Sequence, residues 1–487
     1  MKKAIITSLL TISAVTCLAQ RDFKAEYEAF KNQTKKEYND FRSNCNKEYA
    51  DFMRKAWATY KGEKPIPQPK EEPAPPIPTI STIPPTISTV PIVLDTIIPA
   101  PKPHHIPQPQ PIEPIKETPR PDDRYHTFSF FGTSCKVRLD DRHKFSINNT
   151  DEASIADSWE HCSLPLFNNV IFDCLELRKS LNLCDFAYLE MLHEMSESFF
   201  GSETNAATLL MAYIYCQSGY KMKLAISNDR LYMMYATRHT IYRQSYFLID
   251  NTAYYPYRMD SESCRICHAS FPNEQPLSLE IGRQMALASK PSAAREIKSA
   301  TYPDVKVSVS VNKNLIDFYN NYPASEIDDN FMSKWAMYAN TPASPQIKEA
   351  LYPALREAIK GKTPHAAVSR ILNFVQTGFT YGYDSKIWGY DRAFFADETL
   401  YYPYCDCEDR SILFSRIVRD LLSLEVVLVY YPGHLATAVH FNEEVKGDYI
   451  PLNGKKFTVC DPTFVGARVG MTMPDLDNMT ATVILLE

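Results

Sequence analysis

Proline is concentrated in one stretch of this 487-residue chain, and that stretch limits what can fold around it. More than half of the 35 prolines fall between Pro65 and Pro121, in segments such as PIPQPKEEPAPPIP. Proline fixes φ and removes a backbone donor, so we expect neither helix nor sheet here and predict an extended, polyproline-type spacer. A ligand for proline-reading domains is the alternative. The spacer separates an amino-terminal segment from everything globular.

The first nineteen residues, MKKAIITSLLTISAVTCLA, have the pattern of a secretory signal peptide. Lys2 and Lys3 precede an apolar run that is too short to span a bilayer, and small residues end at Ala19. Lipid attachment at Cys17 is the alternative. We therefore predict that the chain is exported, to the periplasm, the cell surface or the medium.

Charge and hydropathy narrow the class of protein further. The formal net charge of -6 supplies no cationic field, which disfavours binding to nucleic acid. No later apolar run is long enough to cross a bilayer, so no transmembrane segment is predicted. Without Cys17 the 12 cysteines become 11, an odd number, so at least one thiol is unpaired or bonded between chains.

An eleven-residue repeat occupies the segment between the signal peptide and the proline-rich stretch. Eleven residues is close to three helical turns, which places the repeated rings on one stripe of a continuous helix over 20–62, about 60 Å long. Such a helix either packs on the protein's own surface or serves, over residues 21–62, as an arm for oligomerisation or docking. The repeated residues are Tyr27, Tyr38, Tyr49 and Tyr60, with Phe30, Phe41 and Phe52.

Beyond the proline-rich linker at 63–122 the chain reads as packed α+β structure. We divide it into an α+β domain at 123–275, a linking region with strands at 276–345 and a carboxyl-terminal domain at 346–487. Apolar residues at helical spacing predict helices at about 346–360 and 365–378.

A cysteine, a histidine and an aspartate follow in that order in the carboxyl-terminal domain, each at the border of a predicted element. Cys407 begins an amphipathic segment, where the helix dipole stabilises a thiolate, although Glu408 and Asp409 partly oppose it. His434 starts the apolar strand LATAV and can take the thiol proton. Asp461 ends the strand KFTVC and can accept a hydrogen bond from the far ring nitrogen. The pattern predicts a nucleophile, its base and an orienting acid.

Neighbouring residues leave alternatives at each position. Cys405 lies two residues from Cys407, and the predicted helix start favours Cys407. His440 has the same strand parity as His434, which is favoured because His440 lies at the far end of the strand. Zinc is a further alternative, but the spacings match no compact zinc knuckle, and neither a metal nor a cofactor is predicted. Its ligands would be Cys405, Cys407, His434, His440 and Cys460.

The segments DCEDRSILFSRIVRDL, GHLATAV and CDPT resemble the transglutaminase-like superfamily. The resemblance covers about residues 346–470 and implies a papain-like core with Cys407 as nucleophile, His434 as base and Asp461 as orienting acid. It implies acyl transfer through a thioester, by a transglutaminase or a cysteine peptidase or amidase, on a protein or peptide substrate. A non-catalytic binding or scaffold protein built on this fold is the alternative.

The donors of an oxyanion hole are less evident than the nucleophile. The backbone amide of Cys407 is a natural donor, since amides at a helix start point toward developing negative charge. A second donor would come from the loop between Tyr383 and Tyr404. This loop either lines an acyl-substrate cleft or forms a packed cover. Its aromatic residues include Trp388, Tyr390, Tyr401, Tyr402 and Tyr404.

The middle domain repeats this order of elements in weaker form at about 184–257. NAATLLMAYIYCQSGYKMKLA parallels the candidate nucleophile helix and its following strand, and YFLIDNTAYYPY parallels KFTVCDPTF. The nucleophile position falls at Glu203 or Thr204, Asp250 stands where Asp461 does, and no histidine matches the base. We predict a tandem copy that has lost its chemistry; chance recurrence of helix-strand-strand order is the alternative.

One short segment, Cys264-Arg265-Ile266-Cys267-His268, matches the pattern for covalent c-type haem attachment. A single short motif is weak in a chain with this many cysteines, and nothing identifies a distal ligand. We favour a disulfide between the two cysteines.

Overall fold

The structure is a computed structural model that describes residues 2–69, 89–101, 122–259, 261–474, 476 and 480–487. The structure is 38% helix and 24% strand, which confirms the α+β class. Within these residues we find no helix that is both long enough and apolar enough to span a membrane.

The elements are numbered in chain order. The helices are α1 (Lys2–Met53), α2 (Glu152–Cys162), α3 (Asn168–Ser180), α4 (Asp185–Phe200), α5 (Asn205–Gln217), α6 (Lys313–Asn321), α7 (Ser333–Asn340), α8 (Pro345–Ile359), α9 (Pro364–Gly378), α10 (Asp384–Ile387), α11 (Ala396–Tyr401) and α12 (Cys407–Leu422). The strands are β1 (Trp57–Lys61), β2 (Leu94–Ile98), β3 (His126–Phe130), β4 (Thr133–Val137), β5 (Met222–Ser227), β6 (Arg230–Ala236), β7 (Thr240–Ile241), β8 (Phe247–Ile249), β9 (Thr252–Pro256), β10 (Ser263–Cys267), β11 (Arg295–Lys298), β12 (Lys306–Val309), β13 (Ser325–Glu326), β14 (Thr380–Tyr381), β15 (Tyr404–Cys405), β16 (Val426–Tyr431), β17 (His434–His440), β18 (Tyr449–Leu452), β19 (Lys455–Cys460) and β20 (Ala481–Ile484). The helices predicted at 346–360 and 365–378 are α8 and α9.

Two six-stranded sheets have the same strand order. The middle sheet runs β1-β10-β5-β6-β9-β8 and is antiparallel throughout. The carboxyl-terminal sheet runs β2-β20-β16-β17-β19-β18 and is antiparallel except between β2 and β20. One edge strand of each sheet, β1 or β2, comes from the amino-terminal part of the chain. A helix precedes the two central strands in the sequence: α5 precedes β5 and β6, and α12 precedes β16 and β17. We call residues 123–275 the middle half and residues 346–487 the carboxyl-terminal half.

The linking region lies between the two halves and shares their core. Its hairpin β11-β12 packs against α9 and α8, and Ile297 is fully buried there. On α7, the buried ring of Trp335 lies 5.4 Å from that of Tyr430 on β16. One hydrophobic cluster therefore runs through both halves.

The amino-terminal helix ends earlier than the sequence predicted. α1 ends at Met53, and Tyr60 lies on β1, because pairing with β10 satisfies the backbone of Trp57–Lys61. The aromatic stripe is also divided. Tyr49 is buried, with its ring 4.8 Å from that of Trp159, whereas the other described rings of the stripe on α1 lie at the surface or partly buried. The exposed ones are Tyr27, Phe30, Phe41 and Phe52.

The described parts of the proline-rich stretch are not a spacer, which corrects the prediction for 63–122. Leu94–Ile98 forms β2 in the carboxyl-terminal sheet, and the amide of Ile92 donates to the carbonyl of Tyr449 at 2.8 Å. Leu94–Ile98 contains no proline and is rich in apolar residues, so the local sequence permits a strand. Residues 70–88 and 102–121 lie outside the described residues.

Candidate active site

Cys407 is the first residue of α12. The backbone amide of Asp406, just before the helix, donates to the Asp409 carboxylate at 3.2 Å, which fixes the start of the helix. Ile412, Leu413 and Ile417 bury the apolar face of α12, as their spacing predicts. Cys407 therefore occupies the amino-terminal end of an amphipathic helix and is 5% exposed.

His434 and Asp461 form a buried hydrogen-bonded pair. His434 is the first residue of β17, Asp461 directly follows β19, and Nε2 of the ring lies 2.8 Å from Oδ2 of the carboxylate. The other oxygen, Oδ1, accepts the amides of Thr463 at 2.8 Å and Phe464 at 3.2 Å. Because Nε2 donates to Asp461, Nδ1 is left to accept a proton, and it has no hydrogen-bond partner among the described residues.

The start of α12 is fastened to the start of β17. Ser411, one helical turn after Cys407, donates its hydroxyl to the carbonyl of Leu435, next to His434, at 2.9 Å. Residues four apart lie on the same helix face, so Cys407 is on the face of α12 that meets this end of β17. The thiol donates to Oε2 of Glu408 at 3.3 Å. The structure thus pairs His434 with Asp461 and does not show a hydrogen bond from Cys407 to His434.

The charges around Cys407 come from buried groups. Burial raises the pKa values of Asp406 and Asp409 well above the usual range, and nearby acidic groups raise them further. Burial thus favours the protonated form of these carboxyl groups, which weakens the opposition of Asp409 to a thiolate that the sequence suggested. Arg410 is 1% exposed and donates to the carbonyls of Gln376 at 3.2 Å and Phe379 at 2.9 Å. Its guanidinium supplies a positive charge three residues after Cys407.

Gln376 holds the loop that carries Asp461. From α9, its Nε2 donates to the carbonyls of Asp461 at 2.9 Å, Phe464 at 2.9 Å and Ala467 at 3.2 Å. Sequence reasoning missed both Gln376 and Arg410. Arg410 had a local signal in DCEDR, but Gln376 lies 85 residues before Asp461 and had none.

The residues that the sequence offered as alternatives to Cys407 and His434 do not share this arrangement. Cys405 lies on β15, and burial raises its pKa to about 11. His440 accepts or donates no bond to Asp461; its Nδ1 lies 3.1 Å from the carbonyl of Lys456. Among the described residues, the five proposed zinc ligands do not form a group of neighbouring ligand atoms.

Two acidic groups near Cys407 contain ligand atoms within 4.8 Å of one another. One joins Asp406, Cys407 and Glu408, and the other joins Asp384, Asp391 and Glu408. Asp391 already pairs with the buried ammonium of Lys334. Asp384 accepts the backbone amide of Arg392. These partners compete with a cation, and we assign no metal there.

The aromatic loop before Cys407 is largely a packed cover. The ring of Trp388 lies 5.0 Å from Tyr402 and 5.8 Å from Phe394, and the guanidinium of Arg392 lies 4.4 Å from the centre of the indole ring. Tyr390 differs, because it is 39% exposed and stacks under Arg243 of the middle half.

The strand register locates the corresponding positions in the middle half. His434 pairs with the last residue of β16, and Arg230 pairs in the same way with the last residue of β5. Three residues further on, Thr437 pairs with Cys460, while the carbonyl of Met233 accepts the amide of Tyr257 at 2.9 Å. Asp461 therefore corresponds to Arg258.

This register corrects two sequence assignments. Asp250 lies in the turn between β8 and β9, at the opposite end of the strand from Arg258. Thr204 caps α5, so the first helical residue, which corresponds to Cys407, is Asn205. The error arose because YFLIDNTAYYPY contains two strands and a turn where one strand was predicted.

The cysteine pair at 264 and 267 is not a disulfide, which corrects that expectation. No disulfide joins any of the eleven described cysteines from Cys45 to Cys460. Cys264 packs in a small cluster with Ile249 and Met259, whereas Cys267 belongs to the main core. The two thiols occupy different sides of β10, so they fit neither a disulfide with each other nor attachment of one haem.

No family model, curated protein or solved structure matches this chain.

Proposed function

We propose that the chain is an exported cysteine acyl-transfer enzyme with a transglutaminase-like catalytic half. The observation that carries the proposal is the 2.8 Å bond between His434 and Asp461, which leaves Nδ1 of the ring without a partner. The helix that begins at Cys407 packs against the strand that begins at His434. The signal-peptide pattern at 1–19 supports export.

The chemistry follows from these roles. The Cys407 thiol gives its proton to Nδ1 of His434, and Sγ attacks the carbonyl carbon of a carboxamide or peptide. The carbon–nitrogen bond then breaks as His434 returns the proton to the leaving nitrogen, which leaves a thioester on Sγ. His434 next takes a proton from an amine or a water molecule, which attacks the thioester and releases the thiol. Asp461 orients the ring throughout.

The fold supports the charge changes of this reaction. Backbone amides at the start of α12 can stabilise both the thiolate and the oxyanion. The buried guanidinium of Arg410 adds positive charge at the same end of the helix. The equal strand order of the two sheets supports the further proposal that the middle half is a copy without this chemistry.

Selective labelling tests the proposal. A mild thiol alkylator should modify Cys407 first among the eleven described thiols of the folded chain, and Cys407→Ala should remove both amine incorporation into a glutaminyl peptide and its hydrolysis. Cys405→Ala is the matched control and should keep both activities. If Cys407 is not selectively modified and Cys407→Ala leaves every such activity unchanged, the proposal fails.

A non-catalytic scaffold is the second candidate, because the thiol donates to Glu408 and the pair is nearly closed to solvent. Cys407 is 5% and His434 1% exposed. In a scaffold, Cys407 would resist alkylators of every size until the chain unfolds. In an enzyme, labelling would proceed in the folded state.

A further inference from the structure

A cavity of about 260 Å³ lies between the two halves, beside the acidic groups that adjoin Cys407. Arg243 lines it from the middle half, and Asp391 and Arg392 line it from the aromatic loop. Grooves walled by aromatic rings are suited to proline-rich peptides, since rings pack on pyrrolidine faces. The tyrosines that line this one are Tyr242, Tyr319, Tyr322, Tyr338 and Tyr390.

Residues 63–69, which we call the strap, run along this cavity. The amide of Glu63 donates to the carbonyl of Tyr246 at 2.7 Å. The amide of Arg243 donates to the carbonyl of Ile66 at 2.8 Å. At its end, the carboxamide of Gln68 donates to the backbone carbonyl of Asp391 at 2.5 Å and to its carboxylate at 3.1 Å. The strap therefore presents a glutamine side chain to the wall of the cavity.

Asp391 connects this glutamine to the candidate active site. Its carboxylate pairs with Lys334, whose side chain is 3% exposed, so it is held firmly. A carboxylate oxygen of Asp391 lies within 4.8 Å of one of Glu408, which in turn accepts the Cys407 thiol at 3.3 Å. The carboxylates of Asp391 and Glu408 therefore connect the cavity wall to the candidate nucleophile.

The strap sequence occurs a second time in the chain. Ile66-Pro67-Gln68-Pro69 is repeated as Ile106-Pro107-Gln108-Pro109, within residues that lie outside the described structure. Proline on both sides of a glutamine favours the extended polyproline II form, which loses little conformational entropy on binding. Gln68 of the strap forms part of the cavity wall, so the chain carries two copies of the sequence that borders this cavity.

We propose that this cavity, together with the adjoining groove in which the strap lies, is the peptide subsite of the candidate active site and that it takes proline-flanked glutamine segments. The strap is the resident copy, and the 106–109 segment of a second molecule is the exchanging one. The role as a substrate subsite rests on the proposed function, whereas the binding itself does not.

Binding is measured on the full chain with Cys407→Ser, so that no turnover occurs. The probe is a fluorescent peptide of residues 104–111, HHIPQPQP, followed by fluorescence polarisation. Because a tethered strap competes at an effective concentration on the order of millimolar, the double variant Ile66→Ala, Gln68→Ala should bind the peptide at least about 10-fold more tightly. Lys64→Ala, an exposed change in the strap, is the matched control and should bind as the unaltered chain does.

Two further arms test recognition. A peptide of residues 72–79, EPAPPIPT, is rich in proline but lacks glutamine and should bind at least about 10-fold more weakly than HHIPQPQP. Tyr390→Ala, an exposed change in the cavity wall, should weaken binding of HHIPQPQP in the double-variant background. Equal binding of the two peptides would overturn recognition of glutamine.

Hydrogen exchange gives a second readout in case the double variant does not fold. In the chain with its natural strap, excess HHIPQPQP should speed exchange of the Glu63 amide, and EPAPPIPT should not. The proposal is overturned if the double variant binds the peptide no more tightly and the peptide does not speed exchange of the Glu63 amide. Selective labelling of Cys407 would still support the proposed function in that case. Peptide binding without selective labelling would keep the groove and reject its role as a substrate subsite.

Discussion

The middle and carboxyl-terminal halves present the same order of helix and strands but different residues at the corresponding positions. Where the carboxyl-terminal half has Cys407, His434 and Asp461, the middle half has Asn205, Arg230 and Arg258. A guanidinium stays charged at all physiological pH values, so neither arginine can accept a proton as His434 can. The fold supplies the positions, and the side chains decide whether chemistry is possible there.

The hydrogen bonds and ion pairs of these residues also differ between the two halves. Arg258 lies 2.6 Å from the ring of His193 and pairs with the buried Glu190 at 3.3 Å, so it is committed to charges within its own half. Arg230 pairs with the exposed Glu203 at 3.0 Å. Nδ1 of His434 and Nε of Arg230 both lack a hydrogen-bond partner among the described residues. The two positions differ because an imidazole can accept a proton and a guanidinium cannot.

The largest expected effect compares His434 with Arg230. His434→Gln should lower kcat/KM on a glutaminyl peptide by about 1,000-fold or more, because the thiol loses its base. Arg230→Gln should change kcat/KM by less than about 2-fold. Steady-state assays on both variants check this. Equal losses in the two variants would contradict a difference in chemistry between the halves.

A smaller effect is expected for the orienting acid and its counterpart. Asp461→Ala should lower kcat by about 10- to 100-fold, and Asp461→Asn should not recover it, because the amides of Thr463 and Phe464 hold the single amide oxygen and the NH2 group then faces Nε2, which selects the wrong tautomer. Arg258→Ala should leave kcat unchanged and reduce the free energy of unfolding by about 1 kcal/mol, since Glu190 loses a partner. Kinetics and urea unfolding of the same samples separate the outcomes. An unaltered kcat in Asp461→Asn would count against a carboxylate that sets the tautomer of His434.

The smallest expected effect is on the free energy of unfolding, which should depend on pH with opposite signs for one buried group in each half. Burial lowers the pKa of His239 in the middle half to about 3, so the unfolded chain takes the proton first and stability is lost as the pH falls below about 6.5. Burial raises the pKa of Glu398 in the carboxyl-terminal half to about 7, so stability is lost as the pH rises from about 4.5 toward 7. For each group, the free energy of unfolding changes by at most about 1.4 kcal/mol per pH unit.

Urea unfolding across this pH range checks both signs. His239→Gln keeps an acceptor for the amide of Leu279 and should remove about 1 kcal/mol of the loss between pH 6.5 and 5.5. Glu398→Gln should remove a similar loss between pH 5 and 6. Variants whose pH profiles parallel that of the unaltered chain would show that these groups do not titrate as their burial requires.

Short-range patterns predicted the carboxyl-terminal half well. The spacing of apolar residues located α8, α9 and α12, and residue order placed Cys407, His434 and Asp461 at element borders. The pairing of His434 rather than His440 with Asp461 also agrees with the predicted choice, although catalysis by these residues stays a prediction.

Long-range pairing accounts for what the sequence missed. β1 and β2 are edge strands whose partners lie about 200 and 390 residues away, and no local pattern encodes such a partner. The end of α1 at Met53 has the same cause, since β10 competes for the backbone that the repeat would continue as helix. Arg258 can be matched to Asp461 only from the strand register, because a shift of one residue would match a different residue and turn its side chain to the other face.

The sequence by itself determined the class of secondary structure and the residue types that could perform cysteine chemistry, because these depend on local periodicity and composition. Only the tertiary structure decided that Trp57–Lys61 and Leu94–Ile98 form edge strands of the two sheets, that Gln68 of the proline-rich stretch lines a cavity, and that the same strand order is used twice. Those features depend on backbone hydrogen bonds and packing between distant segments, whose partners become defined only when the chain is folded.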